Sequence, residues 1–202
     1  MKIINNITQG SEEWLKLRLG VATASNFHRI VTNTGALSKS LNNYALHLAS
    51  QILTVRQEEP YTNEAMQRGN ELEPEARRAY EEYSLSPVTQ VAFMSCGDYG
   101  YSPDGLVGDD GLIEIKCPNQ VTHTEYLSRD QVPSRYKAQV QGGMFVSGRK
   151  WCDFISFNPN FVESKTLFVK RVYRDEEFIE DLSHAIEEVI NLRDTILSKI
   201  RK

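Results

Sequence analysis

The chain has 202 residues and a net charge of −4, with 40% hydrophobic and 25% charged residues. That length suits one domain with a real core, here taken as a single unit over residues 1–202, and the composition is that of an ordinary globular protein. No apolar run approaches the length of a membrane-spanning helix, and the opening M-K-I-I-N-N-I-T lacks the apolar core of a signal peptide, so a cytoplasmic protein is expected.

Cys96, Cys117 and Cys152 are odd in number and far apart, which reads as reduced thiols and falls short of a four-cysteine iron–sulfur site. His28, His47, His123 and His184 show no ligand spacing and read as structural or exposed. The negative total argues against nucleic acid, but its distribution argues back. Residues 1–57 carry net +4, 58–114 net −10, 115–174 net +6 and 175–202 net −4. Two basic segments flanking an acidic one suit a cation site between phosphate-binding walls; solvated faces with chance clustering are the plainer reading of the same pattern.

In chain order, Ser11 caps a short helix over 12–19, with Glu12 and Glu13 in its first turn and Gly20 past its end. A second short helix follows Thr23. Ser40 caps a helix with Leu41, Tyr44, Ala45, Leu48 and Ile52 on one face. Thr62 caps another, with Ala65, Gly69, Leu72, Ala76, Ala79 and Tyr83 in a stripe; Pro74 inside it predicts a kink or break. From Val88 the period shifts toward two, giving strands at 88–95, 101–107, 111–117, 151–157 and 165–173. A helix over 134–147, capped by Ser134, interrupts them. A last helix over about 175–198 buries Phe178, Ile179, Leu182, Ile186, Val189, Ile190, Ile196 and Leu197. The expected class is α/β, a mixed central sheet flanked by helices, with an N-terminal helical region and a long C-terminal helix.

The chemistry concentrates in S-P-D-G-L-V-G-D-D-G-L-I-E-I-K-C, residues 102–117. Alternate residues of a strand share a face, so Ile113 and Ile115 can enter a core while Glu114 and Lys116 point together to the other side. G-D-D-G reads as a hairpin turn that brings Asp104 back beside them, with Asp109 and Asp110 as turn residues. Two hard carboxylates, with the Ile115 carbonyl as a backbone donor, suit Mg²⁺, and a lysine alongside suits phosphodiester hydrolysis. A solvated strand face with a charge pair is the competing reading of Glu114 and Lys116. Glu73, in line with Met66 and Tyr80, puts a carboxylate beside an apolar stripe, where a metal would satisfy it; the alternative is a cap for the turn beginning at Pro74. Tyr136 and Gln139 share a helical face that either serves the site or packs on the sheet, and Gly142 and Gly143 after them allow close approach of a backbone or ligand.

The segments W-L-K-L-R-L-G-V-A-T-A-S (14–25), G-N-E-L-E (69–73), S-P-D-G-L (102–106), L-I-E-I-K-C-P (112–118) and Y-K-A-Q-V-Q (136–141) together resemble the lambda exonuclease family of phage-type recombination nucleases, the YqaJ-like or alkaline exonucleases. The likeness covers about residues 10–160, and five motifs in family order are far more specific than any one. It implies a restriction-endonuclease-like core of the PD-(D/E)xK type. It also implies Mg²⁺-dependent, 5′-to-3′ degradation of one strand of duplex DNA from 5′-phosphorylated ends to mononucleotides, leaving a 3′ overhang for recombination. A ring-shaped homotrimer, a single-strand annealing protein as partner, and a bacterial host cytoplasm follow from the same likeness. Two ions per site are implied, with Mn²⁺ open as a substitute.

Carried over by position, Asp104 and Glu114 are the implied metal ligands, Lys116 the catalytic lysine, and Glu73 the helix-borne acid that helps place a metal. Tyr136 and Gln139 match active-site residues. Arg18 matches the arginine that grips the terminal 5′-phosphate, with Ser25 adding a hydroxyl to the same place. A guanidinium suits that task because it holds phosphate with two parallel hydrogen bonds. Met66 stands where the founding member has a strand-wedging leucine, and Glu64 where it has a lysine; the chain is also shorter, which leaves ring contacts less defined than the active site. A related nuclease of other polarity or endonucleolytic habit, RecB-like, keeps the same triad, and a non-catalytic DNA-binding module on the same fold is the third reading.

Overall fold

The computed structural model describes residues 1–56 and 64–200, without the side chains of 64–66. Strand β1 (Lys2–Ile4) leads to α1 (Glu12–Leu17), where Ser11 accepts a hydrogen bond from the Trp14 amide at 3.3 Å, as its capping role requires. Gly20 then adopts a left-handed φ of +71° with no room for a Cβ, which would sit 2.3 Å from Ile52 Cγ1. β2 (Ala22–Thr23) runs into a 3₁₀ turn over Ala24–Arg29. α2 (Leu41–Thr54) buries Leu41, Tyr44, Ala45, Leu48, Ala49 and Gln51. Ser40 holds its N-cap position but makes no capping hydrogen bond; its own amide is taken by the Ser38 hydroxyl at 3.2 Å.

α3 (Glu64–Ser84) runs through Pro74 without a break, contrary to the sequence expectation. Pro74 and Asn70, whose carbonyl loses its donor, both lie on the exposed side, where water can replace the missing bond. The opposite side holds the helix down through Leu72, Ala76 and Tyr80, whereas Tyr83, expected in the stripe, is 66% exposed. Thr62 and the Ala65 side chain lie outside the described residues.

The expected run 88–95 divides into β3 (Val88–Thr89) and β4 (Phe93–Ser95), and 101–107 into the end of β5 (Tyr99–Tyr101) and β6 (Gly105–Val107). The halves belong to different sheets. One is four-stranded in the order β1-β4-β5-β2; the other is five-stranded, β3-β6-β7-β8-β9, built on β7 (Gly111–Lys116), β8 (Trp151–Phe157) and β9 (Leu167–Tyr173). Both sheets are mixed, β2 with β5 and β7 with β8 being the parallel pairs. The single mixed sheet expected from sequence is thus two, because short breaks at 90–92 and 102–104 redirect the chain in a way that alternation cannot register.

Between β7 and β8 the chain crosses over through α4 (Gln120–Arg129), a 3₁₀ turn at Ser134–Tyr136, and α5 (Lys137–Ser147). α4 had no counterpart in the sequence reading; its β-branched Val121, Thr122 and Thr124 mask it, although Asn119 caps it through Oδ1 and the Thr122 amide at 2.9 Å. The expected helix 134–147 begins instead with the 3₁₀ turn, and Ser134 caps nothing. α6 (Glu176–Ile200) closes the fold on its apolar face.

β7 is covered on both sides. Leu112 joins Phe154, Met144, Leu182 and Leu48 in the larger core, while Ile113, Ile115, Ile155 and Phe157 meet Ala76 and Tyr80 of α3 in the smaller. The face on which Glu114 and Lys116 lie is therefore the rim of the larger core rather than open solvent.

Candidate functional site

β6 and β7 form the expected hairpin, with Val107 opposite Gly111 and the turn at 108–110. Asp110 is a turn residue, paired with Lys150 at 2.9 Å. The hairpin returns Asp104 to the C-terminal end of β7, where its Oδ2 accepts a hydrogen bond from the Ile115 amide at 2.7 Å. Glu114 is 1% exposed. Its Oε1 accepts from Lys116 Nζ at 2.5 Å and from Gln139 Nε2 at 2.6 Å, and its Oε2 from the Tyr101 hydroxyl at 3.4 Å. Such a carboxylate, nearly removed from water, is tolerable because every contact around it donates a proton.

Burial raises the Asp104 carboxyl well above the usual carboxylate range, and the neighbouring Glu114 adds to this; Glu73 pushes the same way, while Lys116 and the Ile115 amide oppose it. Burial pulls Lys116 down, but Glu114 and Asp104 together outweigh it and hold the ammonium above its ordinary range. The site therefore crowds negative charge around one fixed positive charge, an arrangement that a divalent cation would relieve. Tyr136 lies at one remove, its ring centroid 5.2 Å from Lys116 Nζ and 5.2 Å from the Phe154 ring.

Glu73 reaches the site through an intermediary. Its Oε1 pairs with Arg77 one turn on, and Arg77 Nε donates to the Asp104 carbonyl at 3.2 Å. Gln90, with its amide oxygen turned inward, accepts from both terminal nitrogens of Arg77 at 3.1 Å. Cys117, beside the same acids, is pushed up to about 12, first by burial and then by Glu73 and Asp104.

Arg18 approaches from the other side. Its guanidinium stacks 3.8 Å above the Trp14 ring, and the Trp14 indole N–H donates to the Ser102 hydroxyl at 3.0 Å and the Ala92 carbonyl at 3.1 Å. Gln9 adds a bond to the Pro103 carbonyl at 2.9 Å. α1 and the segment that leads into it are thus tied to the two residues that precede Asp104. Arg18 makes no ion pair among the described residues, and its buried Nε has no hydrogen-bond partner. Burial lowers its pKa to about 10, against a smaller upward effect of Tyr44. The turn after it is held by Gln51 Oε1 on the Gly20 amide at 3.0 Å and by Arg193 on the Gly20 carbonyl at 2.7 Å.

Ser25 is exposed in the 3₁₀ turn and bonds to Thr23 at 3.3 Å; no hydrogen bond joins it to Arg18. Met66 falls in the first turn of α3, with its side chain outside those described. Asp104, Glu114, Lys116 and Gln139 are thus in direct contact, Tyr136 packs against the lysine, and Glu73 and Arg18 are linked by relays. No pattern in the sequence marks Arg77, Gln90 or Tyr101 for the site, and Trp14 stands out only as the first residue of the 14–25 motif. Gly142 and Gly143 admit side chains rather than a ligand: a Cβ would fall 2.3 Å from the Phe27 ring and 2.8 Å from the Tyr101 ring.

Among the described residues no group of three His, Cys, Asp or Glu side chains is arranged to hold a metal. Zinc, which wants a closed cage of nitrogen and sulfur donors, does not fit. Asp104, Glu114 and the Ile115 carbonyl do fit a hard cation that keeps several waters and needs only one or two carboxylates.

The fold is restriction-endonuclease-like, of the PD-(D/E)xK type. Residues 13–150 match the YqaJ-like viral recombinase domain. The crystal structure of an alkaline exonuclease, LHK-Exo, from Laribacter hongkongensis is 37% identical, with a TM-score of 0.87 over 95% of this chain and 96% of that one. LHK-Exo in complex with dAMP matches at 37% identity, over the same shares of the two chains, with a TM-score of 0.86. A phage-related exonuclease from Haemophilus somnus, 15% identical over 89% of this chain and 96% of that one, shares the fold with a TM-score of 0.75. No curated protein sequence matches. The chain belongs to the YqaJ-like viral recombinase family, which is the lambda exonuclease family.

Proposed function

We propose that this chain, a recombination nuclease by its family, is a Mg²⁺-dependent exonuclease that removes mononucleotides from the 5′ end of one strand of duplex DNA. The observation that carries the reading is the convergence of Asp104, Glu114 and Lys116 on the rim of the core, with Asp104 Oδ2 2.7 Å from the Ile115 amide and Lys116 Nζ 2.5 Å from Glu114. The dAMP bound to LHK-Exo, a relative of 37% identity, supports a mononucleotide product.

In this reading Asp104, Glu114 and the Ile115 carbonyl would hold the cation, with Glu73 helping to place it from the α3 side. A bound divalent cation would lower the pKa of a water and neutralise charge growing on the phosphate. Lys116, kept fully protonated by its two acidic neighbours, orients that water or donates to the phosphate oxygens. Gln139 and Tyr101 hold the Glu114 carboxylate in one rotamer, and Tyr136 limits where the lysine can swing. Arg18, with free donors and an apolar support beneath it, receives the terminal 5′-phosphate, and Ser25 lies in the following turn to assist. Met66 serves as the strand wedge. The resemblance further supports a homotrimeric ring around DNA and an annealing protein as partner; Mn²⁺ is expected to replace Mg²⁺.

Asp104→Ala should cut hydrolysis by about 1,000-fold, several kcal/mol of lost charge stabilisation, while leaving duplex binding in place. Single-turnover rates and an electrophoretic binding assay in EDTA check both halves; full turnover by the variant would remove Asp104 from the cation site.

A further inference from the structure

Arg77 is buried, 9% exposed, beside the Glu73 carboxylate and the Asp104 backbone, and all three of its nitrogens are engaged. Nε donates to the Asp104 carbonyl, NH2 to Glu73 Oε1, and Gln90 accepts from NH1 and NH2. These acceptors come from three places, namely α3 itself, the link between β3 and β4, and the residue before β6. Glu73, by contrast, is held by little else: its side chain is 33% exposed and no other hydrogen bond is made to it among the described residues. Repulsion from Asp104 would turn a free Glu73 outward to water. With Oε1 on Arg77, Oε2 is the oxygen left to meet a cation.

We propose that Arg77 is a positioning residue that fixes Glu73 at a set distance from Asp104 and thereby completes the outer half of the cation site. The inference rests on the reading of Asp104 and Glu114 as cation ligands. A lysine could neutralise Glu73 but carries all its donors on one nitrogen, whereas the acceptors here are met at three nitrogens spread across a planar guanidinium. The cation itself touches Glu73, not Arg77, and losing a supporting partner of this kind costs roughly 10 to 100-fold in metal affinity.

The test is Mn²⁺ binding to the DNA-free full chain, followed by electron paramagnetic resonance of the free ion. Arg77→Gln and Glu73→Gln should each weaken binding by about tenfold or more, and the double variant should be no weaker than Glu73→Gln alone. Unchanged or tighter binding by Arg77→Gln would overturn the proposal, the latter by making Arg77 a competitor of the cation; additive losses in the double variant would also overturn it. If Arg77→Gln does not fold, judged by circular dichroism, Arg77→Lys keeps the charge and should show an intermediate loss, and wild-type affinity there would count against the role. Wild-type protein that binds no Mn²⁺, or an Asp104→Asn variant that binds it normally, would overturn the cation reading itself and the Arg77 role with it.

Discussion

Glu114 gathers the polar contacts of the site, and what surrounds it explains why a carboxylate can survive at the edge of an apolar core. Lys116, Gln139 and Tyr101 all donate to it, so its orientation is set before any ligand arrives. The Asp104, Glu114 and Lys116 cluster was legible because it needs only strand alternation and a short hairpin, both local rules. The residues that support it were not. Trp14 meets Ser102 across 88 positions, Arg77 meets Asp104 across 27, and no pattern along the chain announces either bond. Arg18 supplies the sharpest residue-scale expectation. If its free guanidinium receives the terminal phosphate, Arg18→Gln should lose about 1.5–3 kcal/mol of charge-assisted hydrogen bonding, roughly a 10 to 100-fold rise in KM on 5′-phosphorylated ends. The same variant should show little change on 5′-hydroxyl ends. Equal loss on both kinds of end, in steady-state assays, would argue that Arg18 serves the fold instead.

At the scale of elements, the site is assembled by three supports that close on β7. α1 brings Arg18 through Trp14, α3 brings Glu73 through Arg77, and α5 brings Gln139. α5 comes close because Gly142 and Gly143 let it rest on Phe27 and Tyr101. α4, unseen in the sequence, has a separate task. His123 is fully buried and bridges Ser156 Oγ at 2.7 Å and the Lys165 carbonyl at 2.9 Å, with Phe161 edge-on to its ring at 4.7 Å. Because a carbonyl can only accept, Nε2 carries the proton and Nδ1 accepts from the serine. Burial holds the His123 pKa below its ordinary value, against a smaller upward effect of the Lys165 carbonyl. The unfolded chain therefore takes up this proton first. Stability from His123 is fully present above about pH 6.5 and falls as the pH drops from there toward the folded-state value. Thermal melts from pH 7.5 to 5 should show a steeper decline for the wild type than for His123→Gln; parallel curves would contradict the buried neutral imidazole.

Across the whole molecule, the five-stranded sheet is sandwiched between two cores, and the site lies where β7 leaves them. The outline was readable in part: an α/β chain with a closing helix whose apolar stripe includes Phe178, Leu182, Ile186 and Val189, although the expected order of helices first and strands after misses β1 and β2 in the N-terminal region. The division into two sheets was not readable, because β-pairing is decided by contacts distant in sequence and short strands look alike. No helix among the described residues is long and apolar enough to cross a membrane. The two-sheet frame holds α1 against the SPDG segment, and this is what sets a candidate phosphate grip and a candidate cation site within one structural unit, the arrangement expected of an enzyme that works inward from an end.

Polarity and metal dependence are read most directly on linear duplex DNA with one end 5′-phosphorylated, the other blocked, and labels that report which strand is lost. In Mg²⁺ the protein should release mononucleotides from the phosphorylated 5′ end and leave the complementary strand intact, and EDTA should stop the reaction. Loss from the 3′ end, internal cuts, or cleavage that survives EDTA would rule out a metal-dependent 5′-to-3′ exonuclease.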